Sequence, residues 1–201
     1  GRLITDNVLV AHELMSHISK KKKGNCGEMA IKLDMSKAYD RVEWGCLQQI
    51  MQKLGFHDKW ISLVMRCVTS VKYAVRINGL PCSHIQPTRG LRQGDPLSPY
   101  LFLICAEGLS TLLHQATLRK AIKGVAASVR GPRVSHLFFA HDSLVFGKAS
   151  VSEAKETQRI LKVYELSFNQ QLNSNKTSLY FSPNTDNATT ERVKLMFGAQ
   201  V

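Results

Sequence analysis

The chain has 201 residues, 44% of them hydrophobic and 21% charged, a balance that suits one packed core and excludes a disordered tail. Twenty-seven Lys and Arg against fifteen Asp and Glu leave a net charge of +12, which draws polyanions such as nucleic acid or acidic membrane surfaces. No run reaches the roughly 18 uninterrupted apolar residues of a membrane span, so no membrane partner is expected.

The chain begins at Gly1 without an initiating Met or the charged-then-apolar layout of a signal peptide, which points to an excised segment. The five cysteines (Cys26, Cys46, Cys67, Cys82, Cys105) are scattered and form no Cys-x-x-Cys pair, so neither a zinc site nor a disulfide framework is indicated. Cys46, Cys67 and Cys105 read as small core residues in apolar helices.

Thr5 is placed to cap a first helix with Val8, Ala11, Met15 and Ile18 on one stripe. Lys20, Lys21, Lys22 and Lys23, followed by Gly24 and Asn25, read as an exposed loop, either solvated or in contact with phosphate. Met29, Ile31 and Leu33 alternate with small or polar neighbours, so residues 28–35 form a strand in which Asp34 lies at the end. A helix follows with Leu47, Ile50, Met51 and Leu54 on one side and Gly55 as its stop. The next carries Trp60, Ile61, Val64, Met65 and Val68. Val71, Tyr73, Val75 and Ile77 alternate towards Asn78-Gly79, a strong hairpin signal.

Residues 88–95 are polar and glycine-rich, and Ser98 and Pro99 then supply an N-cap and a first-turn proline for a long apolar helix. Strands over 134–139 and 143–146 flank a tight turn at Ala140, His141 and Asp142. A helix over about 152–166 and a strand over 177–181 complete the order. Hairpins imply antiparallel pairing, so the fold expected is α+β: an antiparallel sheet backed by helices, in a single domain without internal repeats.

Asp34 and Asp142 are strand-end carboxylates. Brought together they would make a hard-oxygen site suited to magnesium, although a hairpin Asp alone is more often a turn former.

The wording of three segments carries more. KLDMSKAYDRVEW (residues 32–44), GLRQGDPLSPYLF (90–102) and HLFFAHDSL (136–144) resemble, in order and spacing, the palm motifs of non-LTR, LINE-type reverse transcriptases, with the plant type nearest in wording. RLITDNVLVAHEL (2–14) is similar to the family's late fingers segment, and NSNKT (173–177) to its later lysine motif.

The resemblance implies a right-hand polymerase palm with part of the fingers and no thumb. Residues 1–27 would be fingers and 28–182 palm, with motifs at 32–44, 90–102, 136–146 and 169–178, and 183–201 would start the following region. It implies two Mg2+ ions, with Mn2+ as a substitute, held by Asp34 and Asp142. RNA template, DNA primer and deoxynucleoside triphosphates are the implied partners, and an intact element would act in the nucleus.

Under this resemblance the backbone of Met35, Ser36, Lys37 and Ala38 approaches the triphosphate, and Tyr39 lies under the incoming sugar. Gln93 and Gly94 contact the nucleotide, and Arg92, Ser98 and Pro99 lie along the nucleic acid. Lys176 neutralises or protonates the departing pyrophosphate, while Asp95 organises its loop.

Two positions depart from the family pattern. Asn169 stands where glycine is usual, a mild change because Asn tolerates a left-handed backbone. His141 stands where the family has a third metal-binding Asp. A neutral nitrogen in place of an anionic oxygen suits magnesium poorly, so the catalytic role of this degenerate position is expected to be impaired. Two alternatives stay open: a nucleic-acid-binding remnant without chemistry, and a maturase-like domain.

Overall fold

The structure is a computed structural model that describes residues 4–128, 130–139 and 142–198. Its organising element is β1 (Glu28–Asp34), where Met29, Ile31 and Leu33 are buried on one face and Glu28, Ala30, Lys32 and Asp34 take the other. Around it lie α1 (Ile4–Lys20), α2 (Trp44–Lys53), α3 (Asp58–Thr69), β2 (Tyr73–Ile77), β3 (Leu80–Ile85), α4 (Ser98–Leu118), β4 (His136–Phe139), β5 (Asp142–Lys148), α5 (Val151–Phe168), a 3-10 turn (Ser174–Lys176), β6 (Ser178–Phe181) and α6 (Asn187–Phe197).

Four strands form one antiparallel sheet in the order β4-β5-β1-β6. One face carries the larger core, in which Met29, Ile31, Leu33 and Val145 pack with Leu47 and Met51 of α2, Leu109 and Leu113 of α4, and Ile160 and Leu161 of α5. The other face is covered over part of its length by α1, where Leu14 and Ile18 meet Ala30 and Phe146. Ala30 is small enough to let the helix approach the sheet. Each such buried large apolar side chain contributes on the order of 1.5–3 kcal/mol.

The α+β sheet with antiparallel hairpins agrees with the sequence reading, and several details are corrected. Thr5 lies inside α1 rather than capping it. The buried stripe of α1 is Leu14 and Ile18, whereas Val8 is 54% exposed. Cys67 is exposed, because α3 turns Ile61, Val64 and Val68 inward instead. Cys105 is buried, and burial pushes its thiol up to about 12, well out of reactive range.

Ser98 is the first residue of α4, not its N-cap. Leu97 holds that position in a helical conformation, and the Asp95 carboxylate accepts from Leu97 N–H at 2.8 Å instead. The helix is long and apolar enough, by length and composition alone, to cross a membrane. It nevertheless buries Leu101, Phe102, Cys105, Leu109 and Leu113 in the core.

The Asn78-Gly79 hairpin forms as expected, with Asn78 φ at +49° and Gly79 φ at +82°. It is a separate two-stranded sheet in which every residue of both strands is exposed, so alternation there marks strand geometry and not burial. Of the tight turn after β4, Ala140 and His141 lie outside the described residues, and Asp142 opens β5.

Candidate active site

The sheet register makes Asp34, last in β1, the direct antiparallel partner of Asp142, first in β5. Directly opposed residues project to the same face with Cβ atoms about 4.5–5.5 Å apart. Two carboxylates more than a hundred positions apart in sequence thus share one strand end. Each is met by a lysine: Lys176 Nζ stands 3.8 Å from Asp34 Oδ2, and Lys32 Nζ 3.9 Å from Asp142 Oδ1. Sequence reasoning passed over Lys32, although two-residue alternation from Asp34 puts it on the same face.

Beyond Asp34 the chain turns through residues 36–41, with Lys37 in the left-handed region at φ +51°. This turn is pinned from two sides. From the C-terminal side, Ser36 N–H donates to Gln171 O at 2.8 Å and Asn173 N–H to Asp34 O at 2.9 Å, while Gln170 Nε2 donates to Ala38 O at 3.3 Å. Arg41 adds a guanidinium bond to the Gln171 side chain. These bonds bring the 3-10 turn, and with it Lys176, beside Asp34.

The segment is positioned by Asn169, which ends α5 at φ +51° and donates to Glu43 Oε1 at 2.8 Å. Asparagine therefore performs the left-handed cap for which glycine is usual.

From the other side, Gly90 N–H donates to Val42 O at 2.8 Å, Leu91 N–H to Tyr39 O at 2.9 Å and Trp44 Nε1 to Gly90 O at 2.8 Å. Gly90 has φ +89°, and a Cβ there would stand 3.0 Å from Asp40 O, so the two loops approach as closely as glycine allows. The Tyr39 ring stacks on Phe102 with centroids 4.9 Å apart and planes 17° from parallel. Asp95 sets the loop's exit into α4 through its bonds from Leu97 and Ser98 N–H, the organising role expected of it.

Between the loops opens a cleft of about 800 Å3. Asp34, Met35, Ser36, Lys37, Ala38 and Tyr39 line one side, Gln93, Gly94, Ser98 and Pro99 another, and Lys176 closes it. Two candidate residues stand elsewhere. Arg92 is exposed and lines a neighbouring hollow of about 340 Å3 with Trp44 and Tyr73. Asp142 lines a small apolar pocket with Lys32, Leu137 and Leu144, next to the cleft through its pairing with Asp34. His141 lies outside the described residues, and among those described no group of three or more His, Cys, Asp or Glu could hold a metal ion.

A cleft built at the ends of sheet strands from three separated segments can be compared with known proteins. Residues 2–196 match the family model described as reverse transcriptase (RNA-dependent DNA polymerase). This chain belongs to the reverse transcriptase family.

Its curated relatives place it with non-LTR retrotransposons. It is 27% identical over 178 residues to the transposon TX1 149 kDa protein of Xenopus laevis, covering 89% of this chain and 13% of that protein. It is 29% identical over 115 residues to the Pol polyprotein of the type-1 retrotransposable element R2 of Popillia japonica, covering 57% of this chain and 18% of that one. A plant relationship shows in 51% identity over 67 residues with the mitochondrial protein AtMg01250 of Arabidopsis thaliana, 33% of this chain and 55% of that protein. The chain therefore spans about half or less of each of these relatives.

Among solved structures, truncated apo telomerase of Candida tropicalis superposes with a TM-score of 0.62 over 92% of this chain and 35% of its own, at 14% identity. The shared fold is that of a polymerase palm with part of the fingers.

Proposed function

We propose that this reverse transcriptase domain positions a deoxynucleoside triphosphate and an RNA-templated DNA primer for nucleotidyl transfer, at a metal centre weakened by His141. The observation that carries the reading is the opposition of Asp34 and Asp142 at the edge of a cleft formed by two motif loops. Oxygen donors on two aspartates suit Mg2+, so Asp34 and Asp142 would hold it, with Mn2+ as a substitute. When bound, paired divalent ions lower the cost of ionising a primer hydroxyl and of charge on leaving pyrophosphate.

The remaining work falls to the chain's own groups. Residues Met35 to Ala38 line the cleft, where their backbone would approach a triphosphate. Tyr39, held flat against Phe102 and lining the cleft, would form a wall beneath the sugar, where a 2′-hydroxyl would collide. Gln93 and Gly94 lie across the cleft for the base and its template partner. Lys176, ammonium already turned to Asp34, is the proton donor or counter-charge for the pyrophosphate. The family description, RNA-dependent DNA polymerase, supports RNA as the template class, and telomerase of the same fold has been solved with a fragment of telomeric RNA.

His141 adjoins Asp142 where the family pattern carries a further carboxylate. A nitrogen there lowers magnesium affinity, and loss of a correctly placed ligand removes orders of magnitude in rate. A nucleic-acid-binding remnant is the second reading, favoured by this same residue and by the net charge of +12.

The deciding comparison is the chain against His141→Asp, in magnesium-dependent binding of a fluorescent dNTP and in primer extension on an RNA template. Restoration is expected to tighten nucleotide binding and raise extension by about 100-fold or more, and manganese is expected to narrow the gap. Equal binding and equal extension by the two proteins would refute the damaged-centre reading. Nucleotide binding by neither would favour the remnant.

A further inference from the structure

The lysine run at the end of α1 is not used by the cleft, and its surroundings differ from those of a solvated charge cluster. Lys20 to Lys23, with His12, His17 and Ser16, line a hollow of about 940 Å3 that Glu13, Ala127 and Ser128 complete. Lys21 and His17 are tied to the buried Glu28 at 2.7 and 3.1 Å. Lys20, Lys22 and Lys23 are exposed, and among the described residues no carboxylate pairs with them.

A helix C-terminus welcomes one or two cations. Lys20, in the last turn, already serves that end, and the further lysines repel one another unless an anion lies between them.

The loop that carries them is also held in place. The Asn184 side-chain amide donates to Lys23 O at 3.2 Å, to Gly24 O at 3.0 Å and to Cys26 O at 3.4 Å. Gly27 packs so tightly on Thr185 that a Cβ would overlap its hydroxyl. A lysine loop clamped from a distant segment presents its charges with less ordering cost on binding than a free one. The six residues of β1 before Asp34 separate the loop from it, about 20 Å at roughly 3.3 Å per residue, so the two sites are distinct.

We propose that Lys20, Lys22 and Lys23 form a second, sequence-independent site for the sugar-phosphate backbone of a nucleic acid, away from the catalytic cleft. The choice of nucleic acid as ligand rests on the proposed polymerase reading; the existence of an anion site rests on the charges and the clamp.

The test measures binding of a labelled 20-nucleotide RNA to the 201-residue chain and to its Lys20→Gln/Lys22→Gln/Lys23→Gln variant across a salt series, with matched melting curves. The variant is expected to bind roughly 10–100-fold more weakly at about 0.1 M salt, with a log–log salt slope shallower by about two, equally for unrelated sequences. Lys→Arg replacements at the three positions should retain binding.

Unchanged affinity and slope, or no RNA binding by the unaltered chain, would overturn the proposal. So would lysine-dependent binding to phosphatidylserine vesicles without lysine-dependent RNA binding. Magnesium-dependent dNTP binding by the His141→Asp protein, measured alongside, keeps the readings apart. If it is absent while RNA binding stays lysine-dependent, the polymerase reading fails and the backbone site stands.

Discussion

Gly90 shows how much of the cleft depends on a missing side chain. Its N–H and carbonyl are both used by the first motif loop, its φ is +89°, and the Asp40 carbonyl would lie 3.0 Å from any Cβ. Gly94, four residues on, has a similar φ of +83° but nothing within 4 Å of an added Cβ. Both replacements by Ala incur the left-handed strain of about 1 kcal/mol, and Gly90→Ala adds the contact with backbone that cannot easily move. We expect Gly90→Ala to destabilise the chain by about 2–3 kcal/mol and Gly94→Ala by about 1 kcal/mol in urea unfolding. Gly90→Ala should also weaken dNTP binding, because Leu91 ties the same loop to Tyr39. Equal stability losses would mean that the close approach of the loops contributes nothing. At this scale the motif wording located Asp34, Tyr39, Gln93, Gly94 and Lys176 around one cleft, whereas Arg92, expected along the nucleic acid, lines a separate hollow beside it.

Elements were legible where one apolar face met the core, and less so where burial was shared or absent. α2, α3 and α5 follow from their periodicity, since each has one packed side, and β1 from the alternation of Met29, Ile31 and Leu33 with smaller or polar neighbours. The phase of α1 was misjudged because Val8, Leu9 and Val10 are all apolar and only the sheet decides which turn inward. α6 went unread: it is short, and Val193 is its one fully buried residue.

The start of α5 lies within one residue of the expected position, and part of its support comes from tertiary contacts. Ser150 Oγ accepts from Glu153 N–H at 3.3 Å. The buried Glu153 carboxylate then accepts from Lys148 N–H at 2.9 Å and from Lys123 N–H at 3.2 Å, rather than closing a local capping box. Gly147 lies against the same oxygen, where a Cβ would stand 2.7 Å away. Glu153 thus joins α5, the end of β5 and the segment after α4 through one oxygen. Glu153→Ala leaves two main-chain donors unpaired and is expected to cost about 2–4 kcal/mol, while Glu153→Gln, which keeps a carbonyl acceptor, should cost less than half of that. Chemical denaturation of the two variants measures the difference, and equal losses would show that the carboxylate charge, not a neutral acceptor oxygen at this position, is what holds the three segments.

For the molecule as a whole, positive charge is the dominant long-range feature, and acidification increases it. Seven histidines accompany a net charge of +12, so any proton taken up on acidification adds self-repulsion to an already basic chain. One histidine adds a specific contribution. His136 opens β4 and reaches α4, its ring nitrogens meeting Ser110 Oγ at 3.1 Å and Ser135 Oγ at 3.0 Å, with the Phe138 ring tilted beside it. Burial, and secondarily the nearby His114, hold its pKa below the ordinary 6.5. The folded chain therefore keeps His136 neutral where the unfolded chain would protonate it. Its contribution to stability is fully present above pH 6.5 and is lost as pH falls from there through the depressed folded value. Stability is accordingly expected to be flat near pH 7.5 and to decline towards pH 5.5. His136→Asn, which cannot take up the proton, should reduce that decline whatever it does to stability at pH 7.5. Added salt screens the general repulsion but leaves the burial of His136 unchanged, so in high salt the remaining slope should belong mainly to this residue. Urea unfolding of both proteins at the two pH values, each at low and high salt, separates the contributions. A slope in high salt that is identical with and without His136 would assign the whole acid sensitivity to net charge.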